Sequence, residues 1–295
     1  MLSAFYEAAT GRAPDMLRAY LLAVLVQMVA VNALAEYGHV QVSVPPFFGL
    51  ATALGGFVFG LGMILAVGCA GAMLFRAGEG KRDYGLVMVA YAVGVWAGSD
   101  WVAPPLRRLL GSQADGFTLP KALGVDRWLV VAIVLVATLL WVIRGQHRAY
   151  QGGWDWGRTG LSLGAVGVAA WLASGAAGRP TGLGTMQGSD SLATLILERD
   201  VSALSWSLFV VLGIPGGSWL ASRWHGPSPG RPVHPGRLPL AVAGGLLMGV
   251  GAAVSGGDNI AHGLSGVPLL AAGSATFMVC MFLGVWLGAR LGWLR

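Results

Sequence analysis

The sequence predicts an all-α polytopic membrane protein. It should hold about eight transmembrane helices, several short re-entrant or half helices, and an inverted-topology internal repeat, all in one integral membrane domain over residues 1–295. Three observations predict this fold. Charged residues are 11% of the 295 and hydrophobic ones 55%, where a soluble domain carries about 25% charge. Eight apolar runs are long enough to cross a hydrocarbon core of about 30 Å. One glycine pattern also recurs far along the chain. The same composition excludes intrinsic disorder, which needs low hydrophobicity. The 47 glycines follow no three-residue period, which excludes collagen.

The spans fall at 16–36, 47–66, 83–99, 127–144, 158–175, 203–222, 238–255 and 271–290. The first contains Ala33-Leu34-Ala35, which looks like a signal cleavage site. The apolar run before it is longer than a signal peptide requires, so it is read as a retained span. Three stretches, 69–76, 188–198 and 257–266, are too short or too Gly-interrupted to cross. They are candidate half helices, because irregular backbone is tolerated at membrane depth only where protein or a watery cavity satisfies it. The run from Gly226 to Pro232 is rich in Pro and Gly and belongs to a cytoplasmic linker, 223–237.

With the N-terminus placed inside, thirteen of the nineteen Lys and Arg residues fall on the inner side. Arg107, Arg108, Lys121, Arg127, Arg179 and Arg199 fall outside. This bias predicts a multi-pass inner-membrane protein with both termini in the cytoplasm. It also explains the net charge of +6 without nucleic acid as a partner. Trp128, Trp141, Trp154, Trp156, Trp224 and Trp293 sit near span ends, as an interfacial belt requires.

Gly55, Gly56, Gly60, Gly62 and Gly68 recur as Gly244, Gly245, Gly249, Gly251 and Gly257 at a constant offset of 189. Gly94-Val95-Trp96 recurs as Gly284-Val285-Trp286 at 190. The repeat halves are therefore 47–99 and 238–290. The alternating topology gives them opposite orientations, an arrangement common in secondary transporters. Corresponding interrupted segments point to the substrate site in such folds. Here they begin at Cys69 and Asp258. Most of the glycines serve close helix packing. Gly68 and Gly257 sit at the breaks, where backbone N–H groups could meet an anion.

The segment from Gly60 to Gly80, with Gly68-Cys69 followed by Arg76-Ala77-Gly78-Glu79-Gly80, resembles the signature of the YeeE/YedE-type sulfur transport family. Gly178-Arg179-Pro180-Thr181-Gly182 and the segment from Gly249 to Gly266 are similar to two further motifs of that family, in the same order. The resemblance implies an inner-membrane carrier of small sulfur-containing anions, thiosulfate foremost. It also implies short helix–loop elements reaching the centre and Cys thiols that hand the substrate along. Cys69 matches the first such Cys. Where the family pattern has a second, this sequence has Asp258, followed by Asn259 and Ile260.

The candidate pathway residues are Cys69, Asp258, Gly68, Gly257, Asn259, His262, Arg76, Glu79 and Arg179. Asp258 is either a functional intramembrane carboxyl or the N-cap of the next half helix. His262 lies four residues on, where it could share a proton with Asp258 or make a structural hydrogen bond. Arg76 and Glu79 could form a gate; Lys81 and Arg82 read as solvated loop charges. Arg179 could draw an anion into an outer vestibule. Glu198, Arg199 and Asp200 read as local ion pairs that close a short helix, and Cys280 as a packing residue. No metal or cofactor motif and no catalytic constellation stands out. Four functions remain open: a permease for a sulfur-containing anion, a membrane-embedded sulfur-transfer partner of a small cytosolic carrier protein, a passive anion channel, and a permease for a selenium or oxyanion species.

Overall fold

A computed structural model describes residues 1–11, 15–111, 113–144, 154–228 and 232–293. The helices are α1 (Leu2–Ala9), α2 (Asp15–Glu36), α3 (Leu50–Leu65), α4 (Ala70–Gly78), α5 (Arg82–Ala97), α6 (Ala103–Leu110) and α7 (Leu119–Leu123). They continue as α8 (Arg127–Arg144), α9 (Trp156–Ala176), α10 (Met186–Leu197), α11 (Trp206–His225), α12 (Leu238–Ser255) and α13 (Ala272–Arg290). A π-helical turn, Gly98–Val102, joins α5 to α6, and another, Ala261–Gly266, precedes α13. Among the described residues there is no strand, only two isolated bridges.

Seven stretches are long and apolar enough to cross a membrane. The eighth expected span forms as the 20-residue α11 but is not among the seven. Pro215, Gly216, Gly217, Ser218 and the polar residues Arg223 and His225 dilute its apolar character. All three short stretches are short helical segments: α4, α10 and the turn Ala261–Gly266. Of the basic residues in the charge count, Arg12, Arg148, Arg231 and Arg295 lie outside the described residues, as do linker residues 229–231.

The core is a bundle in which α12 packs on α3 and α5, and α13 packs on α3. Glycine makes this closeness possible. A Cβ at Gly55 would lie 2.6 Å from the Gly251 carbonyl oxygen, and one at Gly62 would lie 2.7 Å from that of Gly244. The pairing runs upward on α3 and downward on α12, so the helices are antiparallel. It is also reciprocal, because Gly251 and Gly244 are the repeat images of Gly62 and Gly55. The same holds for Gly60 on Met281 and Gly249 on Tyr91, and for Gly94 on Leu246 and Gly284 on Phe57. A two-fold relation between opposed copies gives this pattern of contacts. Phe59, Met63, Met248, Phe277 and Met281, all fully buried, fill the space the glycines leave.

Both long helices break in the same way. After α3 the chain turns left-handed at Val67 (φ 56°), and the Gly68 N–H bonds to the Met63 carbonyl at 3.2 Å. After α12 it turns left-handed at Gly256 (φ 85°), and the Gly257 N–H bonds to Ala252 at 3.0 Å. Each break releases the chain into a new helical turn. Met73 N–H bonds to the Cys69 carbonyl at 3.0 Å, and His262 N–H to that of Asp258 at 2.9 Å. The half helices touch at Gly71 and Ile260, which are images of each other.

Candidate functional site

Cys69 and Asp258 stand at the starts of the two half helices, both buried. Cys69 has an extended backbone (φ −94°, ψ 165°) and caps α4. Its sulfur faces the backbone of Ala72 and Leu2 and lies 3.9 Å from the Met1 amino group. A helix N-terminus carries partial positive charge and spare N–H donors, so this position suits a thiol that meets an anion.

Asp258 has a different task. One carboxylate oxygen accepts the Ile260 N–H at 3.1 Å and the Ala261 N–H at 2.7 Å. The other accepts the Thr185 N–H at 2.9 Å and the Thr185 hydroxyl. Four donors on two oxygens satisfy a buried carboxylate. The N-cap reading holds, and Asp258 also pins α10 through Thr185. Of the two readings for His262, the proton-sharing contact with Asp258 does not form, and a structural hydrogen bond does. The His262 Nδ1 faces Ser274 Oγ at 3.0 Å, and its ring stacks on Phe277 with centroids 4.3 Å apart. The ring also lies by the Ser255 backbone, and its Nε2 closes no hydrogen bond. The i, i+4 spacing fails because both side chains find partners on other elements first.

The N–H groups of Gly68 and Gly257 are not open to a ligand, since each is bonded within its own break. Asn259 is fully buried, with its amide nitrogen on Met1 Sδ at 2.6 Å and its oxygen unbonded. Arg179 is exposed. The loop that follows it is anchored on the second half helix: Leu183 N–H bonds to Ser265 Oγ at 2.9 Å, and Gly184 abuts Ala261. The Arg179 segment thus runs directly into Thr185 and the Asp258 cap.

At the opposite end of α4, Arg76 donates to the Tyr84 hydroxyl at 2.5 Å and lies over its ring. Glu79 accepts Lys81 Nζ at 2.9 Å, the Ser228 N–H at 2.6 Å and the Ser228 hydroxyl at 2.8 Å. Lys81 is therefore not a solvated loop charge; it helps hold the linker. Glu198, Arg199 and Asp200 also differ from expectation. Among the described residues they form no ion pair. The helix ends instead through a left-handed Arg199 (φ 55°), with Asp200 bonded to Ser202.

A cavity of about 90 Å³ opens beside the second break. Its polar groups come from Ser43, Thr181, Gln187, Ser207 and His262, and Gly184 and Gly256 form part of its wall. Pockets for drug-sized ligands span roughly 300–1,000 Å³, so only a small solute fits. Sequence reasoning missed Thr185, Ser274 and Tyr91. Tyr91 is fully buried, with its hydroxyl beside Thr185 and in electrostatic reach of Asp258 and Cys69. An intramembrane tyrosine was the available signal; single Ser and Thr residues in apolar helices carry almost none.

Opposed broken helices that meet at the centre of a glycine-packed bundle define a polytopic membrane protein of the transporter type. A family model described as sulphur transport matches residues 1–287, and the chain belongs to that family. The chain is 29% identical over 300 residues to "Thiosulfate transporter TsuA" of Escherichia coli K12, covering 95% of this chain and 85% of the relative. It is 30% identical over 275 residues to the protein of that name from Spirochaeta thermophila, covering 88% and 83%. "Probable transporter YedE" of Salmonella typhimurium is 29% identical over 142 residues, 45% of this chain and 34% of that one.

Proposed function

We propose that the chain is a permease, not an enzyme, that carries a small sulfur-containing anion, with thiosulfate the first candidate, along a path that uses Cys69 and no second thiol. The observation that carries this reading is the buried Cys69 at the start of α4, with its sulfur at a half-helix N-terminus. The names of the two full-length relatives supply the substrate. The small polar cavity at the second break suits entry of a hydrated anion, with Arg179 near its rim and exit past Arg76. The positive-inside bias supports cytoplasmic termini, and on that reading the cavity is the outer mouth in the inner membrane.

Asp258 takes the place of a second thiol but does not hand the anion on. Its two carboxyl oxygens are already engaged by four donors of the protein. It serves as a fixed strut between the second half helix and α10. The burial of Cys69 also argues against sulfur handover to a docked cytosolic carrier protein, which would need the thiol at the surface.

The test is uptake of ³⁵S-thiosulfate into proteoliposomes. Wild type should show saturable uptake, Cys69→Ala should lose it while remaining folded, and Cys69→Ser should retain little. Absence of uptake by correctly folded wild type overturns the thiosulfate assignment. Full uptake by Cys69→Ala overturns the role of the thiol.

A further inference from the structure

Arg107 counts in the sequence only as one of the outside cations, yet its guanidinium is tied down in the structure. Nε donates to the Val254 carbonyl at 3.1 Å, and one terminal nitrogen donates to the Ala253 carbonyl. The guanidinium lies over the Phe48 ring, 3.8 Å from its centroid. Ala253 and Val254 belong to the last turn of α12, just before the break. Gly256 follows and forms part of the cavity wall beside His262. A Cβ added to Gly256 would lie 2.7 Å from Phe48 and 3.5 Å from the Arg107 guanidinium. One glycine therefore separates this cation from the cavity.

None of the residues lining the cavity is Lys or Arg. A helix C-terminus presents unpaired carbonyls equivalent to about half a negative charge. Here that end is α12, aimed at the place where an anion would enter. Within protein a charge acts over a longer reach than in water.

We propose that Arg107 is a positioning residue for the transported anion: it neutralises the carbonyl end of α12 and supplies the positive field of the cavity, so it sets the affinity of the mouth. This rests on the permease reading above. Arg107 need not touch the anion, since its donors are spent on the helix end.

The test compares Arg107→Gln, which keeps an N–H donor for the α12 carbonyls but loses the charge, with Arg107→Lys, which keeps the charge. Initial rates of ³⁵S-thiosulfate uptake are measured against concentration at roughly 20 and 200 mM salt. Arg107→Gln should raise KM about tenfold with a maximal rate near wild type. The difference should narrow at the higher salt, and Arg107→Lys should stay close to wild type. An unchanged KM in Arg107→Gln, or a loss of maximal rate in both variants at unchanged KM, makes Arg107 a helix clamp alone and overturns the proposal. A thiosulfate-induced rise in melting temperature reads binding without transport. A shift in wild type that Arg107→Gln loses supports the proposal even where uptake fails. An equal shift in both proteins, or none in wild type, overturns it.

Discussion

Cys69 and Asp258 occupy the same position in two opposed copies of one motif, and each starts the half helix that follows a broken glycine-rich span. The backbone treats them alike, down to matching hydrogen bonds at 3.0 and 2.9 Å one turn later. The side chains differ. A thiol faces the first half-helix terminus, while the carboxyl oxygens of Asp258 take up the N–H donors of the second.

Asp258 should therefore matter first for stability. Asp258→Ala leaves the N–H groups of Thr185, Ile260 and Ala261 without their acceptor. That should cost about 1–3 kcal/mol. Asp258→Asn should cost less, because its one oxygen still accepts from the half helix while its amide group faces the Thr185 donors. Thermal unfolding in detergent reads both. Equal stability of Asp258→Ala and wild type would mean that the cap contributes nothing to the fold.

The glycine spacing makes a second, paired prediction. A Cβ at Gly60 meets backbone, the Met281 carbonyl, which cannot give way as a flexible side chain would. Gly60→Ala should cost about 1–3 kcal/mol. Gly213 lies within α11, and a methyl group there would have nothing within 4 Å. Gly213→Ala should be neutral or stabilising by up to about 1 kcal/mol. The same unfolding measurement on both variants checks that position, not residue type, decides the sign.

These cases show what the sequence could reveal. The breaks, the half helices and the close glycine packing were legible because a repeat states each of them twice. That Cys69 and Asp258 begin the half helices was legible for the same reason. The partners of Asp258 were not. Thr185 reaches it from 73 residues away, and no periodicity links an isolated Thr to a distant carboxylate. Arg107 failed to stand out for a similar reason: the charge rule accounts for a cation at a span end without asking which carbonyls it holds. Of the two readings for His262, proton sharing with Asp258 does not form, because helix spacing predicts only that two side chains could meet. Ser274 and Phe277, on α13, already hold that ring.

Val67 offers a test of backbone strain. It sits at φ 56°, where a β-branched side chain is a true outlier. The equivalent position in the second copy is Gly256, at φ 85°. Strain of this kind costs about 1–3 kcal/mol, and glycine returns part of the gain through a freer unfolded chain. Val67→Gly should raise the unfolding temperature, with a net gain of about 1 kcal/mol. A fall in stability would mean that the packing of the Val67 side chain outweighs the strain.

The last prediction concerns the linker between the halves. Glu79 takes the Ser228 N–H and hydroxyl as well as Lys81, and Asp83 takes the Val233 N–H. Burial pushes the Glu79 carboxyl up, but the Lys81 ammonium and the two Ser228 donors outweigh it and hold the group below the usual glutamate range. A carboxyl lowered in the folded state contributes stability that is fully present above its unfolded pKa. That stability is lost as pH falls through the folded value. The linker contact should hold across neutral and mildly acidic pH and release only below the range where free glutamate titrates. Amide exchange at Ser228, corrected for the intrinsic rate, measures the contact directly. Protection should persist at about pH 5 and above and drop in stronger acid. Glu79→Gln, which keeps an acceptor for Ser228 but no charge for Lys81, should show weaker protection with no acid transition of its own. A wild-type transition near neutral pH would assign the linker contact to some group other than Glu79.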